Sequence, residues 1–340
     1  MKNNLENNLI VIIPTRVEDI QLLKKAFDSV RWVKNILIAD SSTTKHGASL
    51  IKKFANKRGA QYIHRKYKYS ADFKNWAISQ VKQEWVLLLD SDEILTKELK
   101  NKIERLFLTG DVERHDGYLI ARKHFFFGNF LRFGGRYPLY NIRLFRKQCR
   151  YEDRDVHAHI IIPGSRIGKI PFSEGDILHY SDRYFGQFFE KFNRYSDYQA
   201  RYIKKVTERK RQIRWFEFLR NALYAKAVIK DFWFFLPAHS ALKFFWMYIV
   251  KAGFLDGLSG LKIALLYSLQ DYDSKTKYYL INDNIFIAQW RMKVQNLYIT
   301  FIAQLFGVQK RVVVEEFYKH LRMRVDMECC CEKFVNAKIF

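Results

Sequence analysis

A chain of 340 residues, 49% hydrophobic and 28% charged, can bury a full core without disulfide staples, which excludes a disordered or disulfide-scaffold protein. The net charge of +24 calls for an anionic partner, and the 16% aromatic residues interleave with the basic ones. That mixture fits an acidic membrane surface better than a DNA groove, so no nucleic acid is expected as a partner. Of the four cysteines, Cys149 stands alone and Cys329, Cys330 and Cys331 are adjacent, which matches neither a disulfide framework nor a CxxC zinc site and suggests a reducing compartment.

The first apolar run, Leu9–Thr15, is too short for a signal segment and stops at Pro14, so it reads as a buried strand. Asp19–Val30 follows with Ile20, Leu23, Phe27 and Val30 at helical spacing. Asn35–Asp40 is a second strand, Ser49–Arg58 a helix, Ala60–His64 a third strand and Ala71–Lys82 a helix. Trp85–Asp90 is the fourth apolar strand, and Thr96–Leu108 a helix with Thr96 as its N-cap. Wholly apolar strands alternating with helices predict an α/β fold with a mainly parallel sheet covered on both faces. Ligands of such sheets sit at the carboxyl ends of the strands, here Pro14–Arg16, Asp40–Ser42 and Asp90–Glu93. No GxGxxG or GxxxxGK[ST] follows a strand, which argues against a dinucleotide fold and a P-loop ATPase.

From Asp116 the pattern changes to further strands joined by a Gly-rich aromatic stretch, Phe125–Tyr140. Beyond Ser181 the chain turns helical, and Phe185, Phe188, Phe189, Phe192, Tyr195, Tyr198 and Tyr202 form one stripe that reads as core. Phe232–Val250 is long enough to span a bilayer, but Pro237, His239 and Ser240 interrupt it. An in-plane interfacial helix is expected there, with Leu242, Phe245, Trp246, Ile249, Val250 and Phe254 on one face. Leu258–Leu269 would be its partner, and Ile285–Phe306 a further amphipathic helix. Three regions result: a catalytic domain over 1–180, a helical membrane-associating region over 181–284, and C-terminal amphipathic helices over 285–340.

The strongest chemical signal is WVLLLDSDE, Trp85–Glu93. Asp90 and Asp92 at the mouth of a sheet repel each other unless a cation or a donor satisfies them. Mg²⁺ or Mn²⁺ would do so while binding a diphosphate, and as a Lewis acid would stabilise charge on the leaving group. Glu93 can instead be an acidic residue favoured by a helix N-terminus. Asp40, with Ser41 and Ser42, can accept a base N–H or can be a turn residue.

With these residues in view, the stretches IVIIPTR, ILIADSS, SADFKNWAI, WVLLLDSDEIL, DGYLIARKHFFFGNFLRFGGRYPLYNIRLFR, DVHAH, ILHYSDR and KAGFLDGLSGLKIALL resemble family 2 glycosyltransferases of the GT-A fold. Within that family the chain is similar to lipopolysaccharide core β-1,4-glucosyltransferases and related exopolysaccharide glycosyltransferases. The resemblance implies a metal-dependent, inverting transfer from a nucleotide-sugar donor, UDP- before GDP-linked. The acceptor would be a polysaccharide or lipid-linked glycan at the cytoplasmic face of the plasma or inner membrane, with the enzyme peripheral. It implies that Pro14, Thr15 and Arg16 line the nucleotide pocket, that Asp40 and Ser41 hold the base, and that Lys74 and Asn75 contact donor and sheet. Asp90 and Ser91 would lie on the ribose side, Asp92 would hold the metal, and Tyr137, Pro138 and Arg143 would lie on the acceptor side.

One departure matters. Where those relatives read Val-His-Glu, this chain reads Val156-His157-Ala158-His159. An inverting transfer needs a base beside the acceptor hydroxyl. If 153–157 is extended, Asp153, Asp155 and His157 share a face, which ranks Asp155 first as base, Asp153 second and His157 third, the last also a candidate metal ligand. A polyprenyl-phosphate glycosyltransferase and a non-catalytic basic scaffold remain as alternatives; the scaffold leaves Asp40, Asp90 and Asp92 together unexplained.

Overall fold

The computed structural model describes residues 2–153, 158–164, 166–182, 185–208, 228–229, 232–236 and 238–314. The chain divides into two compact units, one of residues 1–132 and 136–181, the other of 133–135 and 182 onward. No boundary falls at 285 in that division.

The first unit opens with a helix not foreseen from sequence, α1 (Lys2–Asn8), whose Leu5 is buried. It leads into β1 (Leu9–Thr15), and α2 (Ile20–Val30) and β2 (Asn35–Asp40) follow. α3 (Lys45–Lys57) starts four residues before its expected Ser49, because Thr44 Oγ1 accepts a hydrogen bond from Gly47 N at 3.1 Å and so caps an earlier turn. β3 (Gln61–His64), α4 (Ser70–Ser79) and β4 (Trp85–Leu88) complete the alternation. β1 lies between β2 and β4, parallel to both. Ile10, Val11, Ile12 and Ile13 are wholly buried there, because a central strand is covered on both faces. β3, at the sheet edge, buries none of its residues.

After β4 the chain reverses instead of continuing to the expected end at Asp90. Glu93 N donates to Asp90 O at 2.9 Å, closing a turn around Ser91 and Asp92, and β5 (Glu93–Leu95) leaves it. α5 (Lys97–Thr109) then starts at its expected cap, with Thr96 Oγ1 accepting from Leu99 N. The rest of the sheet is antiparallel in character: β6 (Gly117–Phe126), the two-residue β7 (Asn129–Phe130) and β8 (Leu139–Arg146), with β8 pairing both β4 and β6. β9 (Arg150–Tyr151) and β10 (Ile160–Ile161) form a separate ribbon. β11 (Ile167–Lys169) adds to β6, and β12 (Ile177–Asp182) pairs β5 antiparallel. The main path runs β3-β2-β1-β4-β8-β6-β12-β5, so an α/β parallel half and an antiparallel half meet at β4, the strand that leads into the Asp90–Asp92 turn. Helices cover both faces, as the GT-A expectation requires; the two apolar clusters are centred on Leu9, Val11 and Ile13 and on Ile10, Ile12 and Leu88.

The second unit is helical: α6 (Phe185–Glu208), α7 (His239–Phe245), α8 (Gly257–Ile281) and α9 (Ile285–Phe306). Phe188, Phe189 and Phe192 of the expected stripe are buried. The single helix expected over Phe232–Val250 is not formed. Phe232 and Trp233 are followed by a turn, Ala238 takes a left-handed φ of 52°, α7 starts at His239, and Trp246–Val250 is a π turn. His239 and Ser240, read as a polar break inside one helix, instead open α7; Pro237 lies outside the described residues. Among the described residues no helix is long and apolar enough to cross a membrane. Cys149 is buried, and the Cys329–Cys331 run lies outside the described residues.

Candidate functional site

The carboxyl ends of β1, β2 and β4 open onto a cavity of about 260 Å³, lined by Pro14, Thr15, Arg16, Asp19, Ser41, Tyr67, Ser70, Phe73, Lys74, Asp90, Ser91, Asp92 and His179. The first loop is fixed by the second: Ser41 N and Ser41 Oγ donate to Thr15 O at 2.9 and 3.0 Å, and Val17 N donates to Ser42 Oγ at 2.9 Å. Arg16 is half exposed at the rim and reaches Asp19 at 3.2 Å.

The two aspartates of the turn have opposite surroundings. Asp90 is gripped by Lys74 Nζ at 2.7 Å and by the Arg143 guanidinium at 2.9 Å. Burial alone would raise its carboxyl, but the Lys74 and Arg143 charges overcome that and hold it well below the usual carboxylate range. Burial works against charge on Lys74 and Arg143 too, and their carboxylate partners outweigh it, so both are pushed up. Glu93, fully buried, completes the cluster: it accepts from Asp90 N at 3.0 Å and from Arg143 at 2.5 Å, with Arg122 at 3.5 Å. Asp92 lies instead beside His179 Nε2, at 3.5 Å. The other ring nitrogen of His179 stands 3.0 Å from both Arg122 and His124, which fixes the ring and turns Nε2 toward Asp92.

Of the residues expected around the donor, Pro14, Thr15, Arg16, Ser41, Lys74, Asp90, Ser91 and Asp92 line this cavity, and Asp40 and Asn75 do not. Asp40 is wholly buried. Its Oδ1 accepts from Ser42 N and Ser42 Oγ at 2.8 and 2.6 Å, and its Oδ2 from Tyr62 OH at 2.9 Å. The tyrosine hydroxyl is correspondingly pushed up, by burial and by that bond. Asp40 thus shapes the 40–42 turn. Asn75 spends its amide on Tyr151, donating to its carbonyl at 3.0 Å and accepting from its N–H at 2.8 Å, which anchors β9 to α4.

Arg143, expected on the acceptor side, is 3% exposed and belongs to the Asp90–Glu93 cluster. Tyr137 does not line the cavity; its hydroxyl donates to Asp176 at 2.8 Å. Among the candidates for the base, Asp153 accepts from Tyr69 OH, on the loop that gives Tyr67 and Ser70 to the cavity wall. Asp155 and His157 lie outside the described residues. His179 and Arg122 were not singled out from sequence, and Glu93, read there as an acidic residue at a helix N-terminus, instead begins β5 and pairs with Arg143. The signal for Glu93 was its place directly after DSD; His179 sits in ILHYSDR, where only the pairing of β12 with β5 brings it to Asp92.

Asp92 and His179 form an oxygen–nitrogen pair suited to a divalent cation, whereas both carboxylate oxygens of Asp90 are already occupied. Among the described residues no group of three or more His, Cys, Asp and Glu side chains could hold a metal by itself. A cation here would need oxygens from the bound substrate, the usual habit of Mg²⁺ at diphosphates.

Residues 10–169 match the family model for Glycosyl transferase family 2. An uncharacterized glycosyltransferase of Rickettsia prowazekii is 25% identical over 272 residues, which cover 77% of this chain and 87% of the relative. The lipopolysaccharide core biosynthesis glycosyltransferase LpsC of Rhizobium meliloti is 26% identical over 181 residues, 52% of this chain and 65% of the relative. A crystal structure of S. aureus TarS 1-349 in complex with UDP-GlcNAc aligns over 88% of this chain and 92% of its own, at 14% identity and a TM-score of 0.39. Residues 10–169, with the parallel strands and the Asp90–Asp92 turn among them, form a glycosyltransferase family 2 domain.

Proposed function

We propose that the first unit transfers a sugar, with inversion at the anomeric carbon, from a nucleoside diphosphate sugar, UDP-linked before GDP-linked. The acceptor is a polysaccharide or lipid-linked glycan of cell-surface synthesis, a class suggested by what the similar LpsC is named for. The observation that carries the reading is the split at the β4 turn: Asp90 is neutralised by Lys74 and Arg143, while Asp92 faces the cavity beside His179.

Asp92 and His179 would hold Mg²⁺ or Mn²⁺ together with the donor diphosphate. Such an ion acts as a Lewis acid on the departing nucleotide. Asp90, kept ionised, is an acceptor for ribose hydroxyls, and Lys74 and Arg143 keep it so without a proton of its own. Thr15, Arg16 and Ser41 offer the donor hydrogen bonds from the neighbouring loops. The base that takes the acceptor proton comes from the acidic segment after β9, Asp155 or Asp153.

A thermal-shift screen with UDP- and GDP-sugars tests donor binding, since a ligand of the native state raises the melting temperature with its excess over Kd. Asp92→Asn is expected to keep the fold and lower turnover about 10²-fold or more, with EDTA acting likewise. His179→Ala should weaken Mn²⁺ binding read by electron paramagnetic resonance. Full activity in EDTA would remove the metal role, and no stabilisation by any nucleotide sugar would remove the donor reading. Near-wild-type transfer by both Asp155→Asn and Asp153→Asn would move the base to His157.

A further inference from the structure

The second unit carries apolar side chains outward where a water-facing helix would carry polar ones. Leu242, Phe245, Trp246 and Ile249 recur at helical spacing along α7 and the π turn, and are 43%, 54%, 49% and 46% exposed. Val250, Phe254, Leu255 and Leu258 prolong the same surface, each about half exposed. The inward side of this segment is partly polar. His239 is buried with Nε2 at 3.2 Å from Asp271 O, Ser268 Oγ donates to Ser240 O at 2.7 Å, and Met247 is the buried apolar member. α9 repeats the inversion: Phe286, Trp290, Leu297 and Phe301 are exposed, while Gln295 is buried and donates to Asp273 at 2.8 Å. So large an apolar face, on elements held by buried polar bonds, is built to meet a non-aqueous surface.

Its charges indicate which one. Residues 238–270 contain Lys243, Lys251 and Lys262 and a single acidic residue, Asp256, and Lys243 pairs with Asp271 just beyond them at 3.7 Å. Asp256 is turned to the backbone, accepting from Phe133 N at 2.8 Å. Lys251 Nζ stands 5.0 Å from the Trp246 ring, the pairing of a cation with an amphipathic aromatic that suits a headgroup layer. A second copy of this chain would set the same lysines against one another, whereas an anionic leaflet supplies their countercharge. α7 is far shorter than a span, so the surface would enter one leaflet and lie in its plane.

We propose that the 242–258 face is a docking surface for an anionic lipid leaflet, with the aromatic and aliphatic side chains entering the headgroup–acyl boundary and Lys251 and Lys262 engaging lipid phosphates. The proposal is independent of which sugar the first unit transfers.

The test is flotation of the full-length protein with phosphatidylcholine vesicles, with and without phosphatidylglycerol. The wild type is expected to float with the anionic vesicles. A variant carrying Phe245→Ser, Trp246→Ser, Phe254→Ser and Leu258→Ser is expected to partition at least about 10-fold less. Lys251→Glu with Lys262→Glu should abolish the preference for phosphatidylglycerol. These side chains face outward, so unchanged circular dichroism and an unchanged melting-temperature rise with nucleotide sugar would show that loss of flotation is not loss of fold. Flotation of the four-fold variant equal to the wild type would overturn the assignment. So would failure of the wild type to float together with a dimer, seen by sedimentation, that the same variant dissolves.

Discussion

The two units solve opposite burial problems. In the first, the centre is a sheet whose middle strand is wholly apolar, and charge is confined to the strand mouths, where each buried ion has a partner. In the second, Ser268, Gln270, Asp271, Asp273, Ser274 and Lys277 share the interior with Phe189, Phe192, Ile263, Leu266 and Leu269, while Phe286, Leu297, Trp246 and Phe245 are outside. Lys277 alone reaches Ser196 at 2.7 Å, Asp273 at 3.0 Å and Asp197 at 3.1 Å. Buried polar pairs set among apolar side chains fix the geometry of the helices, since each such group must keep its partner. The contrast sets the family 2 domain, with its charges gathered at the strand mouths, against a helical unit that carries polar pairs inside and large apolar side chains outside.

The comparison breaks most sharply where charge is buried in the first unit. Glu93→Ala leaves Arg143 and Arg122 without their shared carboxylate, and should cost about 3–5 kcal/mol, the usual range for removing one partner of a buried ion pair. Urea unfolding measures it, and a loss below about 1 kcal/mol would show that the cluster is solvated.

In the second unit the equivalent weak point is a close backbone approach. A Cβ on Gly260 would stand 1.9 Å from Gly253 O, so Gly260→Ala must push α8 away from the 253–256 turn. About 1–3 kcal/mol of destabilisation is expected by thermal unfolding, with donor binding retained.

Asp40→Asn sharpens the distinction between a ligand residue and a structural one. It should cost about 1 kcal/mol, because part of the Ser42 and Tyr62 hydrogen bonding survives. Calorimetric titration with a nucleotide sugar is expected to give nearly unchanged affinity; a large loss would return Asp40 to the base pocket.

The smallest effect concerns pH. Burial, ahead of any neighbouring charge, lowers the pKa of His239, so the fold holds the ring neutral. Below about pH 6.5 the unfolded chain takes up a proton that the folded chain resists. Its contribution to stability is therefore complete above that pH and lost as pH falls toward the lower folded value. Melting curves between neutral and mildly acid pH should show a shallower decline in His239→Gln than in the wild type.

The fold of the first unit was legible because β1, β2 and β4 are near-continuous apolar runs, and only strands buried on both faces tolerate that composition. The cavity was legible for the same reason, since polar residues at the carboxyl ends of such strands have few other places to be. The partners of Asp40 were not legible, because a carboxylate at a strand mouth looks alike in sequence whether its oxygens face a ligand or the hydroxyl of a distant Tyr62. The pairing of Arg143 with Asp90 was not legible either, because nothing local marks a guanidinium that crosses from β8 to the β4 turn.

The sequence by itself determined the strand–helix alternation, the acidic turn Asp90-Ser91-Asp92 and the cation-rich aromatic character of the second unit, all properties carried by neighbours in the chain. Only the tertiary structure decided that Asp90 is neutralised while Asp92 meets His179, that β5 follows the turn, and that the face from Leu242 to Leu258 points outward. Each depends on partners far apart along the chain, as Arg143 and His179 are from Asp90 and Asp92. Periodicity records which residues share a face, but not what that face meets.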